Sequence, residues 1–161
     1  MRIGLGYDIH RTGEGDHVWL GGVRVAAGFS LIGHSDADVL LHAVTDAILG
    51  AIADYDIGYH FPPSDESNRG RPSVDFLNFA LERMQRAGYQ PANIDCNIVC
   101  ELPRIAPVRE EIRRSLASLM GISAGQVSVK GRTNERVDAV GEGRAVVCQA
   151  VVLLTARGES R

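Results

Sequence analysis

The sequence has few cysteines for a chain of 161 residues, and those it has do not form a recognisable set. Cys96, Cys100 and Cys148 are odd in number, have no C-x-x-C spacing and lie in apolar stretches typical of strands. This pattern predicts small buried hydrophobic side chains in a reducing compartment.

Long apolar runs and blocks of positive charge are also absent. No stretch reaches the roughly 18 apolar residues that a membrane-spanning helix needs, and Met1 leads into a predicted strand instead of a secretion signal. We therefore expect no membrane partner and a cytoplasmic location. Lys and Arg total 17 against 20 Asp and Glu, a formal charge of -3. Nucleic-acid binding is not expected, and a polyanionic substrate would need bound cations to offset its repulsion.

Several motifs of common enzyme classes are missing as well. Neither Gly-x-x-x-x-Gly-Lys nor Gly-x-Gly-x-x-Gly occurs, which argues against nucleoside triphosphatases and dinucleotide-binding enzymes. The neighbours His34, Ser35 and Asp36 cannot form a hydrolase triad, because adjacent residues do not reach that geometry. No Pro-, Gly- or Ser-rich tract divides the chain, so we predict a single domain over residues 1–161.

The periodicity of apolar residues predicts a mixture of strands and helices. Helices clustered between strands, with two strands at the end, favour an α+β ferredoxin-like two-layer sandwich with an extra N-terminal β-hairpin over a doubly wound parallel sheet. The last strand is apolar on both faces, which predicts a central strand covered on both sides, with a neighbouring subunit as one candidate cover. The segment 54–72 is too long for a passive connector. The predicted strands are 2–10, 17–20, 23–26, 94–100, 127–129 and 145–155, and the predicted helices are 36–53, one capped by Ser73 and ended by Gly88, and 107–120.

The first predicted strand carries two potential metal ligands on one face. Alternation places Asp8 and His10 together with Gly4 and Gly6, which would let another backbone or a ligand approach closely. We interpret this face as the floor of a site rather than as core. The opposite face is apolar and consists of Ile3, Leu5, Tyr7 and Ile9.

A third potential ligand, His42, lies on the first predicted helix. Ser35 can cap this helix, with Asp38 completing a weak capping box. Asp38, His42 and Asp46 are spaced by four and form one polar row, in which either carboxylate could orient the imidazole. Such a row is more often the solvated side of a surface helix. The opposite stripe consists of Leu40, Ala43, Val44, Ala47 and Ala51.

Asp8, His10 and His42 together predict an open transition-metal site. One carboxylate and two imidazoles suit zinc or manganese, and three protein ligands leave a position free for substrate. Each residue alone is a weak signal, because Asp-x-His triplets and histidines on helix surfaces are common.

Several short motifs occur in order along the chain. They are Gly6-Tyr7-Asp8-Ile9-His10, Gly21-Gly22-Val23, His34-Ser35-Asp36-Ala37-Asp38 followed by His42-Ala43, Thr45-Asp46-Ala47-Ile48-Leu49-Gly50, Asp56-Ile57-Gly58 and Phe61-Pro62. With these motifs the chain resembles the 2-C-methyl-D-erythritol 2,4-cyclodiphosphate synthase family over essentially its whole length.

The resemblance implies a homotrimer of α+β subunits with each active site between two of them. It implies that Asp8, His10 and His42 hold zinc or manganese, which grips the diphosphate of 4-diphosphocytidyl-2-C-methyl-D-erythritol 2-phosphate. The 2-phosphate of this substrate attacks the β-phosphorus and expels CMP, leaving a cyclic diphosphate. The implied function is a phosphorus–oxygen lyase of the non-mevalonate route to isoprenoids.

The resemblance also assigns residues outside the metal cluster. His34 and Thr133 would be catalytic, Thr133 by stabilising the transferring phosphoryl group, and Glu135 would hold a second cation, magnesium, between the α- and β-phosphates. Without the resemblance, 54–65 would be a polar loop, 100–106 a strand-to-helix connector and Glu135 a solvated charge. Substrate contacts are implied for Asp8, His10, His34, Ser35, Asp56, Ile57, Gly58, Phe61, Asp65, Cys100, Pro103, Arg104, Ile105, Ala106, Arg132, Thr133, Asn134 and Glu135.

The chain departs from the family pattern at several positions. Pro63 stands where an Asp is frequent, which removes one acidic loop contact. Arg104 replaces a usual Lys and changes the hydrogen-bond geometry while keeping the charge. Residues 132–134 replace a run of Thr, so only Thr133 matches there.

A larger departure lies in residues 139–144. In many members of the family this region lines a channel of the trimer, where an arginine grasps an isoprenoid diphosphate. Glu142 occupies the place of that arginine, and Ala139 occupies a position that is often aromatic. A carboxylate would repel a diphosphate, so we predict that this chain does not bind isoprenoid diphosphates tightly.

Two other functions stay open on the residues alone. A metal-dependent phosphohydrolase would use the same three ligands but should show a further general base or a second metal cluster. A non-enzymatic ferredoxin-like trimer that senses a nucleotide would not need Asp8, His10 and His42 together.

Overall fold

The structure, a computed structural model, describes residues 1–158. Its strands are β1 (Arg2–Gly13), β2 (His17–Leu20), β3 (Val23–Ala26), β4 (Ser30–Ile32), β5 (Tyr89–Val99), β6 (Val127–Arg132) and β7 (Ala145–Ala156). Its helices are α1 (Val39–Ala51), α2 (Ile57–His60), α3 (Ser73–Arg86), α4 (Arg109–Met120) and α5 (Asp138–Gly141), with 3-10 turns at Glu66–Asn68 and Ala124–Gln126. Within the described residues, no helix has the length and apolar character needed to span a membrane.

Five strands form one mixed sheet in the order β4-β1-β7-β5-β6, while β2 and β3 pair in a separate hairpin. The predicted α+β class and N-terminal hairpin are confirmed. β5 and β6 are parallel, and the other neighbours are antiparallel. The connectivity differs from that of the predicted ferredoxin-like core, in which two strands follow each other in the middle of the chain. It differs because α4 forms the crossover that a parallel pair requires.

Helix α1 lies against β1 at a distance that only glycine allows. A Cβ atom on Gly4 would lie 1.8 Å from the carbonyl oxygen of Ala47, and one on Gly6 would lie 1.8 Å from that of Ala43. The close approach predicted from these glycines is confirmed. The interpretation of this face as a floor is wrong for the glycines, because α1 buries both of them.

Two helices begin at residues other than those predicted. The carboxylate of Asp38 accepts hydrogen bonds from the backbone N–H groups of Leu40 and Leu41, at 3.2 and 3.0 Å, so Asp38 and not Ser35 caps α1. Ser73 is the first residue of α3 and makes no capping hydrogen bond. Both serine hydroxyls contact the candidate site instead.

The three cysteines are free and buried, as predicted. Burial raises the pKa of Cys96 to about 12 and that of Cys100 to about 11. Burial also raises the pKa of Cys148 well above its usual value. None of them is therefore a thiolate at neutral pH.

One face of the sheet is largely uncovered in the single chain. β7 is central, as predicted, and its residues are buried along one side, whereas on the other side only Ala145 and Val147 are buried, against Val140 of α5. Further along that side, Val151 is paired with Leu5 of β1. Beyond Val147, the described part of this chain does not supply the predicted second cover. The apolar residues of β1 on this open face are 46 to 70 % exposed: Ile3, Leu5, Tyr7 and Ile9.

Candidate active site

Three side chains from β1 and α1 meet at one point. Asp8 Oδ2 lies 2.9 Å from His10 Nε2 and 3.0 Å from His42 Nδ1, and the two ring nitrogens are 3.1 Å apart. Among residues 1–158, this is the one group of acidic, histidine or cysteine side chains placed to hold a metal ion. One oxygen and two nitrogens fit a divalent transition metal with three protein ligands and a further open position.

A buried carboxylate that is not a ligand fixes the start of α1. Asp38, only 1 % exposed, accepts hydrogen bonds from the N–H groups of Gly21 and Gly22 in the β2–β3 turn, at 2.9 and 2.7 Å. Burial raises the pKa of Asp38, and the backbone hydrogen bonds limit the rise. Because the same carboxylate caps α1, it holds the helix against the hairpin and thereby sets the position of His42.

The predicted orientation of His42 by Asp38 or Asp46 is wrong. Asp38 contacts the hairpin, and Asp46 accepts a hydrogen bond of 2.8 Å from the N–H group of Ile57 at the start of α2. His42 Nε2 instead lies 3.0 Å from Ser35 Oγ and 2.9 Å from Ser73 Oγ. Ser73 lies on another helix, so no spacing in the sequence indicates this contact.

A backbone carbonyl orients His10. Its Nδ1 lies 2.9 Å from the carbonyl oxygen of Ile32, on the short strand β4 that was not predicted. A carbonyl can only accept, so Nδ1 is the donor in this contact, and Nε2 is the ring atom that faces Asp8 and His42.

The electrostatics of the cluster keep Asp8 ionised. Burial by itself would raise the pKa of Asp8, but hydrogen bonds and charge attraction from His10 and His42 outweigh it and lower the pKa. Burial would likewise lower the pKa of His10, and the partner Asp8 raises it overall. A carboxylate that is already deprotonated is the form in which it binds a metal.

Aromatic rings connect the segment after α1 to the cluster. The ring centroid of Phe76 lies 5.7 Å from that of His42 and 4.7 Å from that of Phe61. Phe79 packs on Phe61 at 5.0 Å, and the guanidinium carbon of Arg71 lies 5.4 Å from the Phe61 centroid. Only one ring therefore separates the predicted substrate residue Phe61 from His42.

The other predicted residues of this segment shape its backbone. Asp56 caps α2 and Asp65 caps the 3-10 turn after it, each by accepting a hydrogen bond from a backbone N–H group, at 2.8 and 2.9 Å. Both carboxylates are exposed. Ile57 and Gly58 form the first turn of α2.

His34 and Ser35 lie between β4 and α1. They lie outside the helix itself, because α1 begins at Val39 and Asp38 accepts the hydrogen bonds of the N–H groups of Leu40 and Leu41. His34 itself is exposed, and its carbonyl oxygen accepts a hydrogen bond of 2.6 Å from the N–H group of Gly70. That bond ties His34 to the end of the long segment.

A separate cavity of about 370 Å³ lies where β5 and β6 end. It brings together the predicted segment 100–106 with Arg132 and Thr133. Arg109, at the start of α4, also lines it and was not predicted as a site residue, because nothing in the sequence distinguishes it from the other arginines of α4. The complete lining is Cys100, Glu101, Pro103, Arg104, Ile105, Ala106, Arg109, Gly131, Arg132 and Thr133.

The loop after β6 connects Thr133 to Glu135. Thr133 Oγ1 donates a hydrogen bond of 3.0 Å to Glu135 Oε1, and the N–H group of Asn134 donates one of 3.1 Å to Glu101 at the cavity. The φ angles of Glu135 and Arg136 are 51° and 63°. Such conformations are costly without glycine and cluster at binding sites.

The candidate metal site of Asp8, His10 and His42, called the metal cluster here because its three ligand residues cluster, is separate from the cavity in one chain. No metal ligand lines the cavity. Asp8 pairs with Cys148, Cys148 with Ile98, and Ile98 with Gly131 across four neighbouring strands. Three strand spacings put the two places roughly 14 Å apart. The predicted site residues thus form two groups.

A carboxylate–imidazole cluster and an arginine-lined cavity on a mixed α+β fold are the features of a metal-dependent enzyme of phosphate chemistry. The model of the YgbB family matches residues 1–155, and the chain belongs to this family. The predicted family resemblance is therefore confirmed.

Several of its relatives carry the name of one enzyme. Two proteins named 2-C-methyl-D-erythritol 2,4-cyclodiphosphate synthase are 49 % identical to it. The one from Cereibacter sphaeroides aligns over 96 % of this chain and 97 % of its own, and the one from Rhodopirellula baltica over 98 % and 95 %. A structure of IspF from Plasmodium falciparum in a CDP complex matches with a TM-score of 0.85 and 34 % identity, over 98 % of this chain and 97 % of that one. The chain is an enzyme of this type and performs the cyclisation step of the non-mevalonate (MEP) route to isoprenoids.

Proposed function

We propose that the protein converts 4-diphosphocytidyl-2-C-methyl-D-erythritol 2-phosphate into 2-C-methyl-D-erythritol 2,4-cyclodiphosphate and CMP by means of a divalent metal at Asp8, His10 and His42. The observation that carries this proposal is the meeting of their three ligand atoms within 3.1 Å of one another. The CDP complex of a relative supports a cytidine nucleotide as the ligand of the cavity.

The reaction forms one phosphorus–oxygen bond and breaks another. An oxygen of the 2-phosphate attacks the β-phosphorus, and the bridging oxygen leaves with the α-phosphate as CMP. The attacking phosphate is already an anion, so the enzyme needs no strong base and works by positioning and charge neutralisation. Zinc or manganese, when bound, would polarise the phosphoryl oxygens.

The side chains of the chain itself would divide the remaining work. Exposed His34 and Thr133 would contact the transferring phosphoryl group. Glu135, whose carboxylate Thr133 already holds at 3.0 Å, would bind magnesium between the α- and β-phosphates. Asp56, Ile57, Gly58, Phe61 and Asp65 would contact the methylerythritol.

The cavity would hold the cytidine and its phosphate. Arg104, Arg109 and Arg132 line it and offer planar sets of donors that suit phosphate oxygens. The remaining predicted contacts at the cavity are Cys100, Pro103, Ile105, Ala106 and Asn134.

The active protein would be a homotrimer in which the metal cluster of one subunit faces the cavity of the next. Two observations support this assembly. The open face of β1 exposes Ile3, Leu5, Tyr7 and Ile9, a patch that favours burial. The metal cluster and the cavity are also about 14 Å apart in one chain, so a neighbour could bring them together. Each subunit would be one cytoplasmic domain of residues 1–161.

Phosphorus NMR of the protein incubated with the cytidylyl substrate and manganese tests the reaction. A cyclic diphosphate and CMP are expected, and protein stripped with a chelator should be inactive until zinc or manganese is restored. A linear product with inorganic phosphate would favour the phosphohydrolase and reject the proposal.

A further inference from the structure

We infer that Asp138 is a positioning residue that acts through Asn134 and holds in place Thr133 and Glu135, the residues that would meet the β-phosphate. The inference rests on the proposed function, in which these two residues contact the transferring phosphoryl group and its cation. It gives a role to Asp138, an exposed residue that neither lines the cavity nor belongs to the metal cluster.

Both carboxylate oxygens of Asp138 accept hydrogen bonds from its own loop. Oδ2 accepts from Asn134 Nδ2 at 2.9 Å, and Oδ1 accepts from the N–H group of Val140 at 2.8 Å. The hydrogen bond from Val140, and to a lesser extent that from Asn134, lowers the pKa of Asp138, so it is a carboxylate at neutral pH. Asp138 therefore ties the start of α5 to the loop after β6.

The side chain of Asn134 fits this loop in only one orientation. Its Nδ2 also donates to the carbonyl oxygen of Val137 at 3.1 Å, and a carbonyl and a carboxylate both only accept. The amide hydrogens of Asn134 are thus used within the loop, while its backbone N–H group donates to Glu101 at 3.1 Å. Asn134 is held from two sides, by α5 and by the segment after β5.

Asn134 stands between the two residues that would meet the phosphoryl group. Thr133 Oγ1 donates to Glu135 Oε1 across it at 3.0 Å. The φ angles of Glu135, Arg136 and Asp138 are 51°, 63° and 61°. Left-handed residues so close together are costly and persist only where contacts hold them. The hydrogen bonds of Asp138 are such contacts, so their loss should loosen Thr133 and Glu135.

The start of α5 packs directly on the backbone that follows Glu135. A Cβ atom on Gly141 would lie 2.4 Å from the carbonyl carbon of Arg136, so glycine allows this approach. A shift of α5 therefore moves the backbone of Arg136, and Glu135 with it.

Two substitutions of Asp138 separate its contacts from its backbone conformation. Asp138→Asn tolerates the left-handed φ angle, but its one carbonyl oxygen cannot serve both Asn134 and Val140. Asp138→Gly adopts this φ angle without strain and removes both acceptors. The control is Asp75→Asn, the same chemical change at an exposed residue of α3.

Calorimetry of the full-length protein in magnesium buffer compares the binding of CDP with that of CMP, which lacks the β-phosphate. Both Asp138 variants should bind CDP about 3- to 10-fold more weakly than the wild type, because a looser loop must be ordered on binding. Their CMP constants should stay within about twofold of the wild type, since Asp138 does not line the cavity. The control should change neither constant. Asn134→Ala combined with Asp138→Gly should weaken CDP binding no further than Asn134→Ala alone.

An equal loss of CDP and CMP affinity would indicate a general disturbance of the site and would overturn the inference, as would unchanged CDP affinity in both variants. Asp138 also lies near Tyr7 and Ile9 on the open face of β1, so light scattering should confirm that the variants keep the wild-type mass. Weaker CDP binding together with a smaller mass would assign Asp138 to assembly and reject the positioning role.

If Asp138→Asn does not fold by circular dichroism, Asp138→Gly carries the test, because glycine relieves the strain at this position. Failure of the proposed function looks different, since the wild type itself would then bind neither nucleotide or form no cyclic product.

Discussion

Arg83 donates two hydrogen bonds to the carboxylate of Asp54, from Nε at 2.6 Å and from Nη2 at 2.8 Å. This pair joins the segment after α1 to α3. His60 contributes to the same contact, with Nε2 2.9 Å from the carbonyl oxygen of Asp54. The base of the segment that carries Phe61 is therefore held by a charged pair on the surface of α3.

Replacing Arg83 by Met should destabilise the protein at neutral pH and much less in acid. The hydrogen bond from Arg83 is the main cause that lowers the pKa of Asp54 below its usual 3.8. The stabilisation is therefore present above about pH 3.8 and is lost as the pH falls through the lower pKa of the folded state. We expect a lower free energy of unfolding than in the wild type at pH 7 and a smaller difference at pH 3, measured by urea denaturation. Arg86→Met, at an exposed pair with Glu82 on the same helix, is the control and should change less. Equal losses at both pH values would contradict the assignment.

Replacing His42 by Ala should abolish metal retention and turnover while the chain stays folded. One ligand of three is lost, and the cluster is partly exposed, so little packing is lost with it. Elemental analysis after dialysis should find close to one zinc or manganese per subunit in the wild type and in His17→Ala, a histidine of the hairpin, and almost none in the variant. Normal turnover by His42→Ala would refute the ligand assignment.

Gly6→Ala should destabilise the fold strongly, because its Cβ would lie 1.8 Å from the carbonyl oxygen of Ala43. Moving α1 away from β1 to make room costs about 1 to 3 kcal/mol or more. Gly50→Ala on the same helix is the matched control, since its Cβ would meet nothing nearer than 4.0 Å, and it should stabilise α1 by up to about 1 kcal/mol. Thermal unfolding of the two variants measures the contrast. Similar melting temperatures would disprove the close approach.

Leu5→Glu should break the proposed trimer. Leu5 is 69 % exposed on the open face of β1, so the single chain should fold normally with a glutamate there. Burying that charge between subunits is unfavourable. Light scattering should give the mass of a trimer for the wild type and of a monomer for the variant, with loss of turnover. Gln85→Lys, at an exposed position of α3, serves as the control. A trimeric Leu5→Glu protein would argue that the open face is not the interface.

Isoprenoid diphosphates should not bind tightly. Glu142 Oε2 lies 2.7 Å from Arg144 Nε and 2.6 Å from Arg144 Nη2, so the nearest guanidinium is already paired with a carboxylate. Calorimetric titration with geranyl or farnesyl diphosphate should show no binding in the micromolar range. Glu142→Gln, which releases Arg144, should bind more strongly than the wild type. Micromolar affinity of the wild type would overturn the prediction.

Most helices and strands were predicted correctly, because apolar periodicity and glycine positions within each segment determine them. Gly21 and Gly22 have φ angles of 64° and 77° in the predicted hairpin turn, and Gly121 ends α4 in the left-handed conformation. β4 was missed because three residues give no measurable alternation, although it supplies the carbonyl that orients His10.

The ligand set of the metal cluster was predictable, but its surroundings were not. Asp8 and His10 share one strand face, and His42 lies in the polar row of the first predicted helix. Ser73 was assigned to a helix cap by a local rule, whereas its hydroxyl serves a contact between helices. Asp38 was interpreted as part of a solvent-exposed polar row on the first helix. It is buried instead, because the hairpin packs over the start of α1, a long-range contact that local sequence patterns do not indicate.

The grip of Asp38 on the turn at Gly21 and Gly22 has a practical consequence for protein engineering. Grafting only Asp8, His10 and His42 onto another protein would transfer the metal-binding atoms without the hydrogen bonds that hold α1, and with it His42, in position. A graft therefore needs the hairpin as well, although the hairpin contributes no donor atom.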